Sequence, residues 1–180
     1  NLYYFGFKDG GLVKIYPIYH SGFFVEMDEH YLLFDFYKGE IPKLDSSKPL
    51  YVFVSHSHYD HYNPNIDNVT EYYKTRKFIV NGVDSPKFYK ADADSQYLID
   101  DVKITTFKST DEGVAFLVET EGKTIYHAGD LHLWYWGDED TEEERQDMYE
   151  RYIKEIKKLE GREIDVAFLV LDSRQNDEDA

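Results

Sequence analysis

"LYVFVSHSHYDHYN", Leu50 to Asn63, has two halves of opposite character. Its first five residues are wholly apolar, the pattern of a short strand buried on both faces. The remainder places three histidines and an aspartate between positions 56 and 61. A loop that leaves a buried strand sits at the end of a sheet, a common place for ligand chemistry. The chain holds only seven histidines in 180 residues, so three in one short loop need an explanation.

Strand geometry offers one. In extended chain, alternate side chains point the same way. His56, His58 and Asp60 then face one side together, while His61 faces elsewhere until the chain turns towards Pro64. Two imidazoles for one ion, with a carboxylate and an imidazole for a second, follow from that spacing. A lone histidine is usually structural, but three with an interleaved aspartate read as metal ligands. The chain has no cysteine, which excludes disulfides and thiolate ligation. Nitrogen and oxygen donors suit Zn2+, with Mn2+ or Fe2+ as alternatives, in one or two ions.

The elements around this loop alternate between many strands and few helices. "GLVKIYPIYH", "GFFVEM" and "YLLFDFY" read as strands, the last two joined by a tight hairpin at Asp28-Glu29-His30. Residues 41–50 form a loop punctuated by Pro42 and Pro49. A short helix is expected over 63–74, with Asn63 as cap and Pro64 at its first position. Strands follow at 77–82, 97–99, 102–107, 114–120 and 123–130, with Glu121-Gly122 as a hairpin turn. Residues 86–93 read equally as a turn or one helical turn. The clearest helix begins at Thr141, where Thr141 and Glu144 form a capping box. Met148, Tyr152, Ile156 and Leu159 repeat along it at helical spacing, and Gly161 suits its end. Residues 164–172 read as another buried strand, and 173–180 as a polar, acidic tail. This order predicts one layered α/β domain (α+β by some schemes) over residues 1–180.

Charge narrows the partners. With 36 acidic and 20 basic residues, the formal net charge is −16. Such a field repels phosphate backbones, so nucleic acid is disfavoured and a small-molecule substrate is expected. Lys74, Arg76 and Lys77 cluster, but as a solvated turn. No apolar run approaches the ~20 residues of a membrane span, and no signal-peptide pattern opens the chain. A cytoplasmic location, without membrane association, is expected. Oligomeric state is not encoded in any pattern read here.

The motif "SHSHYDH" matches H-x-H-x-D-H and resembles the metallo-β-lactamase superfamily. "IYHAGD" (Ile125–Asp130) is similar to the later strand whose Gly-Asp carries a metal-bridging carboxylate. "HSGF" (His20–Phe23) and "LLFDFY" (Leu32–Tyr37) resemble the opening hairpin. "STDEGVAF" and "HAGDLHLW" look like a small bacterial branch, distantly similar to lactonase-type members. The resemblance implies a four-layer αββα sandwich, His56 and His58 on one metal, Asp60 and His61 on the other, and Asp130 between them.

The sequence departs from the superfamily pattern in two places. The loop at 108–113 has no histidine, and Asp111 either replaces that ligand or caps a turn. No histidine follows His132. The expected fold therefore lacks its C-terminal elements: either the chain is a fragment or its end is supplied differently. His132 shares parity with Asp130 and is a further candidate ligand, whereas His127 is expected to be structural. His20 is a weaker candidate, for the pocket wall. Trp134, Tyr135 and Trp136 either wall a substrate pocket or pack on the long helix, with Trp134 and Trp136 the substrate-binding candidates.

The reaction implied is metal-dependent hydrolysis of an ester, lactone or phosphoester of a small molecule. A metal lowers the pKa of bound water from 15.7 to about 7, giving a metal-bound hydroxide at neutral pH. Asp60 is the catalytic candidate, orienting that water or taking a proton. Two alternatives stand beside it: an iron-dependent oxidoreductase on the same fold, and a metal-binding protein whose degenerate site no longer hydrolyses.

Overall fold

A computed structural model describes residues 2–6, 11–172 and 174–175. The tail read at 173–180 lies, apart from Arg174 and Gln175, outside the described residues. The chain divides into two compact units, Asn1–Ala91 and Asp92–Ala180.

The first unit is a seven-stranded sheet in chain order: β1 (Tyr3–Gly6), β2 (Leu12–Pro17), β3 (Phe23–Glu26), β4 (Tyr31–Phe34), β5 (Leu50–Val54), β6 (Arg76–Val80) and β7 (Phe88–Lys90). The first three pairings are antiparallel and the last three parallel. The β3–β4 hairpin falls where expected, closed by Met27 N–H donating to His30 O at 3.0 Å. β5 lies centrally between two parallel neighbours, and all five of its residues are buried. Its unbroken apolar composition follows from that position, because both of its faces are covered. Leu50, Val52 and Val54 join Phe24, Leu33, Phe78 and Val80 in one cluster, and Phe53 stacks on Phe34 at 4.9 Å. Each such side chain contributes roughly 1.5–3 kcal/mol of burial.

The many tyrosines find a use here. Tyr31, Tyr51 and Tyr73 are fully buried. The Tyr31 hydroxyl accepts the Asp45 N–H at 3.1 Å, and the Tyr73 hydroxyl donates to Pro42 O. The proline-punctuated loop between β4 and β5 is thus pinned to the core by phenols that bury a ring and keep a polar handle.

Residues 63–74 form less helix than expected. Only α1 (Ile66–Val69) is helical, and its N-cap is Asn65 rather than Asn63. Asn63 instead accepts Asn65 N–H at 2.8 Å and donates from Nδ2 to Tyr37 O at 2.7 Å. Its side chain makes an Asx turn, the alternative that asparagine offers the backbone. Residues 86–93, left ambiguous above, contain β7.

The second unit is a five-stranded sheet of β8 (Gln96–Ile99), β9 (Val102–Lys108), β10 (Val114–Thr120), β11 (Lys123–His127) and β12 (Val166–Phe168), in the order β12-β11-β10-β9-β8. All pairings are antiparallel except β11 with β12. Glu121 and Gly122, both at positive φ, make the two-residue turn between β10 and β11. The helix α2 (Glu142–Ile156) carries the expected capping box at Thr141 and Glu144 and continues into a 3-10 turn, Lys157–Leu159. Tyr152, Ile156 and Leu159 pack on Phe107, Ala115, Leu117 and Tyr126. The last strand is shorter and more open than its sequence suggests. β12 covers three residues, Ala167 is exposed, and Leu169 and Leu171 are 72% and 93% exposed. Among the described residues only β11 pairs with it, at the sheet edge.

Candidate metal centre

The chain leaves β5 at Val54 and turns at once. His58 O accepts the N–H groups of His61 and Tyr62, each at 3.0 Å. The loop is therefore not extended through to Pro64. This early turn brings His61 back beside His56, with ring centroids 4.1 Å apart, while the His58 ring lies edge-on to His56 at 4.6 Å. His61 thus joins the cluster instead of facing away from it.

Two further segments of the first unit meet this loop. The end of β4 supplies Asp35, fully buried and at φ 42°. Its Oδ1 accepts the Ser55 N–H at 2.7 Å, and its Oδ2 accepts the Ser55 hydroxyl at 2.7 Å. The same Oδ2 lies 2.7 Å from His61 Nδ1. The turn between β2 and β3 supplies His20, at φ 54°. Gly22 lets that turn approach: a Cβ there would lie 2.9 Å from Tyr19 O and 3.3 Å from Asp35 O. His20 Nε2 lies 3.4 Å from Asp60 Oδ2, and its ring sits edge-on to His61 at 5.5 Å. Among the described residues, His20, Asp60 and His61 each offer a ligand atom, all within 4.8 Å of one another.

The hydrogen bonds assign the ring protons. A carboxylate only accepts, so His61 Nδ1 must carry the hydrogen it shares with Asp35. The single Ser55 hydroxyl hydrogen is likewise committed to Asp35. Ser55 Oγ can then only accept from His56 Nδ1, 3.0 Å away. Both rings carry their Nδ1 hydrogen towards this pair, which makes Nε2 the nitrogen by which each would bind a metal. Burial, with the His61 ring next in effect, holds His56 down to about 4, so it is neutral near pH 7. Imidazoles held by their Nδ1 contacts, beside the Asp60 carboxylate, fit a divalent ion of the zinc, manganese or iron group.

The remaining site candidates lie in the second unit. Asp130 follows β11 on a turn, and its carbonyl accepts Trp134 Nε1–H at 3.0 Å. His127 is buried and accepts Gly129 N–H on Nδ1 at 3.1 Å. His132 places Nε2 2.5 Å from Gln175 Oε1. Asp111 is exposed between β9 and β10, where its N–H donates to Ser109 Oγ at 3.1 Å. Neither Asp111 nor His132 belongs to a potential metal-binding trio among the described residues. Trp134 and Trp136 stack at 5.7 Å and line a cleft of about 300 Å³ against α2, with Asp140, Glu144, Asp147, Met148 and Arg151.

Sequence reasoning gave no role to Asp35 or Ser55. The available signal was an aspartate inside the apolar run "YLLFDFY": a carboxylate buried there needs donors.

Comparison with known proteins bears on the fold and the family. A comparison with curated protein sequences gives no significant match. Among solved structures, a candidate metal-dependent hydrolase from Parabacteroides distasonis aligns with a TM-score of 0.61 and 17% identity, over 96% of this chain and 76% of its own. A metallo hydrolase from Ignicoccus hospitalis aligns at 0.48 and 21% identity, over 68% of this chain and 62% of its own. CmlA, a diiron β-hydroxylase from Streptomyces venezuelae, aligns at 0.51 and 10% identity, over 68% of this chain and 30% of its own. The first and third of these likenesses establish a shared fold, that of α/β metallo-β-lactamase type. The profile described as "Beta-lactamase superfamily domain" matches residues 14–148, which is about three quarters of the sequence, and the chain belongs to that family.

Proposed function

We propose that this protein is a metal-dependent hydrolase of a small-molecule ester, lactone or phosphoester, and that zinc is its metal. One observation carries the reading: Asp35, directly and through Ser55, engages Nδ1 of both His61 and His56, which makes Nε2 the nitrogen by which each would bind a metal. A buried carboxylate that sets two tautomers at once is the support expected behind metal-binding histidines. His56, His58, Asp60 and His61 are the proposed ligands. Asp130 is added from the resemblance of "IYHAGD" to the strand that bears a bridging carboxylate.

When bound, the ion supplies a water acidic enough to act as nucleophile near neutral pH and a positive charge opposite the developing oxyanion. The protein's own groups do the rest. His56 and His61 are held rigid by the Asp35 network. Asp60, partly exposed, orients the attacking water and takes its proton at the carboxylate. Trp134 and Trp136 present a stacked apolar platform for the body of the substrate, and Trp134 is tied to the Asp130 backbone. No helix among the described residues is long and apolar enough to cross a membrane. A small substrate in the cytoplasm, and no nucleic acid, is the proposed setting.

A panel of esters, lactones and phosphodiesters tests the reading. Turnover should vanish after chelation and return with Zn2+. Iron-dependent oxidation without hydrolysis would replace the proposal by the oxidoreductase reading. Metal binding without turnover on any member would favour a degenerate site.

A further inference from the structure

We infer that His20 is a metal ligand, forming with Asp60 and His61 a three-residue site open to solvent. This rests on the metal-centre reading above and adds a residue from outside the H-x-H-x-D-H loop. The three side chains offer ligand atoms within 4.8 Å of one another. Their source is two separate segments, the β2–β3 turn and the loop after β5, so sequence proximity does not explain the meeting.

The His20–Asp60 distance separates an ion pair from a shared ion. A charge-assisted N–H···O contact closes to about 2.7–2.9 Å. Two ligands bound at about 2.1 Å to one tetrahedral ion stand about 3.4 Å apart. His20 Nε2 and Asp60 Oδ2 are 3.4 Å apart. Both groups are partly exposed, at 50% and 31% of their side-chain surface, so simple relaxation to a short contact is open to them. Asp35 occupies Nδ1 of His61, so Nε2 is the nitrogen by which His61 would bind the ion.

The backbone is arranged for this placement. His20 takes a left-handed conformation that a non-glycine residue adopts uncommonly. The turn is closed by Ile18 N–H to Gly22 O and Gly22 N–H to Tyr19 O, both 2.9 Å. Gly22 permits its close seat on Asp35, the residue that also orients His61. One residue therefore lies beneath both, its backbone carbonyl against the turn and its carboxylate against the ring. Strained residues cluster at functional sites because the surrounding structure must hold them there. Three protein ligands with an open fourth position is the arrangement of a catalytic rather than a structural zinc site.

The test is Co2+ titration of the full chain, followed by d–d absorption and competition for affinity. His20→Asn keeps a residue tolerant of left-handed backbone but removes the ligand, and His20→Asp returns a ligand of another type. Circular dichroism and thermal melting confirm that each variant is folded. The expected result is at least tenfold weaker Co2+ binding and a changed d–d spectrum in His20→Asn, with affinity largely recovered in His20→Asp. Unchanged affinity and spectrum in folded His20→Asn would overturn the inference while leaving the metal centre standing. Failure of the wild-type chain to bind Co2+ would instead remove the metal-centre reading itself.

Discussion

Asp35 is the residue on which the proposed centre turns. It lies 26 positions from His61 in sequence, yet its carboxylate faces both His61 and Ser55 in the buried interior. Asp35→Asn keeps the shape but replaces one acceptor oxygen with an amide donor. Loss of such an outer partner typically lowers metal affinity 10–100-fold, and zinc competition assays should read a drop of that order. A second expectation concerns acid. His56 titrates near 4 when folded and near the ordinary 6.5 when unfolded. Between those values the unfolded chain binds more protons, so the metal-free protein should be fully stabilised above pH 6.5 and lose stability as pH falls towards 4. The loss reaches at most about 3 kcal/mol and is measurable by urea unfolding across that range. His56, His58, Asp60 and His61 were candidates from spacing, and the structure brings the three histidine rings together. Asp35 had no role in that reading and His20 only one in the pocket wall, because left-handed backbone at both positions and a turn packed on a distant strand set their placement.

At the scale of elements, the sequence reading succeeded where one signal dominated. β5 is an unbroken apolar run, and the structure buries all of it. α2 begins at a reciprocal cap and shows its apolar stripe to the sheet. The reading failed where polar side chains compete with the backbone. At 63–74, Asn63 bonds locally and to Tyr37, and the helix shrinks to Ile66–Val69. For 164–172 the expected strand forms only over Val166–Phe168, where Val166 and Phe168 are buried, while Leu169 and Leu171 are exposed. The β10–β11 turn offers a quantitative check. Both central residues have positive φ, at 52° for Glu121 and 69° for Gly122. Asparagine accepts that conformation better than glutamate, and Asn-Gly is the preferred pair in such hairpins. Glu121→Asn should therefore stabilise the protein by about 0.5–1 kcal/mol, read as a higher urea midpoint with an unchanged slope.

For the molecule as a whole, the four proposed ligands of the H-x-H-x-D-H loop lie in the first unit. A formal charge of −16 adds a field that attracts cations and repels nucleic-acid phosphates. Membership of the family was legible from "SHSHYDH" and "IYHAGD", whereas substrate choice was not, because one fold serves many reactions and specificity lies in local sites. The claim that unites these scales is that the histidine loop holds metal. It is tested most directly by the metal content of the purified, dialysed protein beside that of the His56→Ala/His58→Ala double variant. One or two equivalents of a divalent transition metal in the wild type, with at least one lost from a folded double variant, is the predicted result. Full metal content in that folded variant would contradict the account.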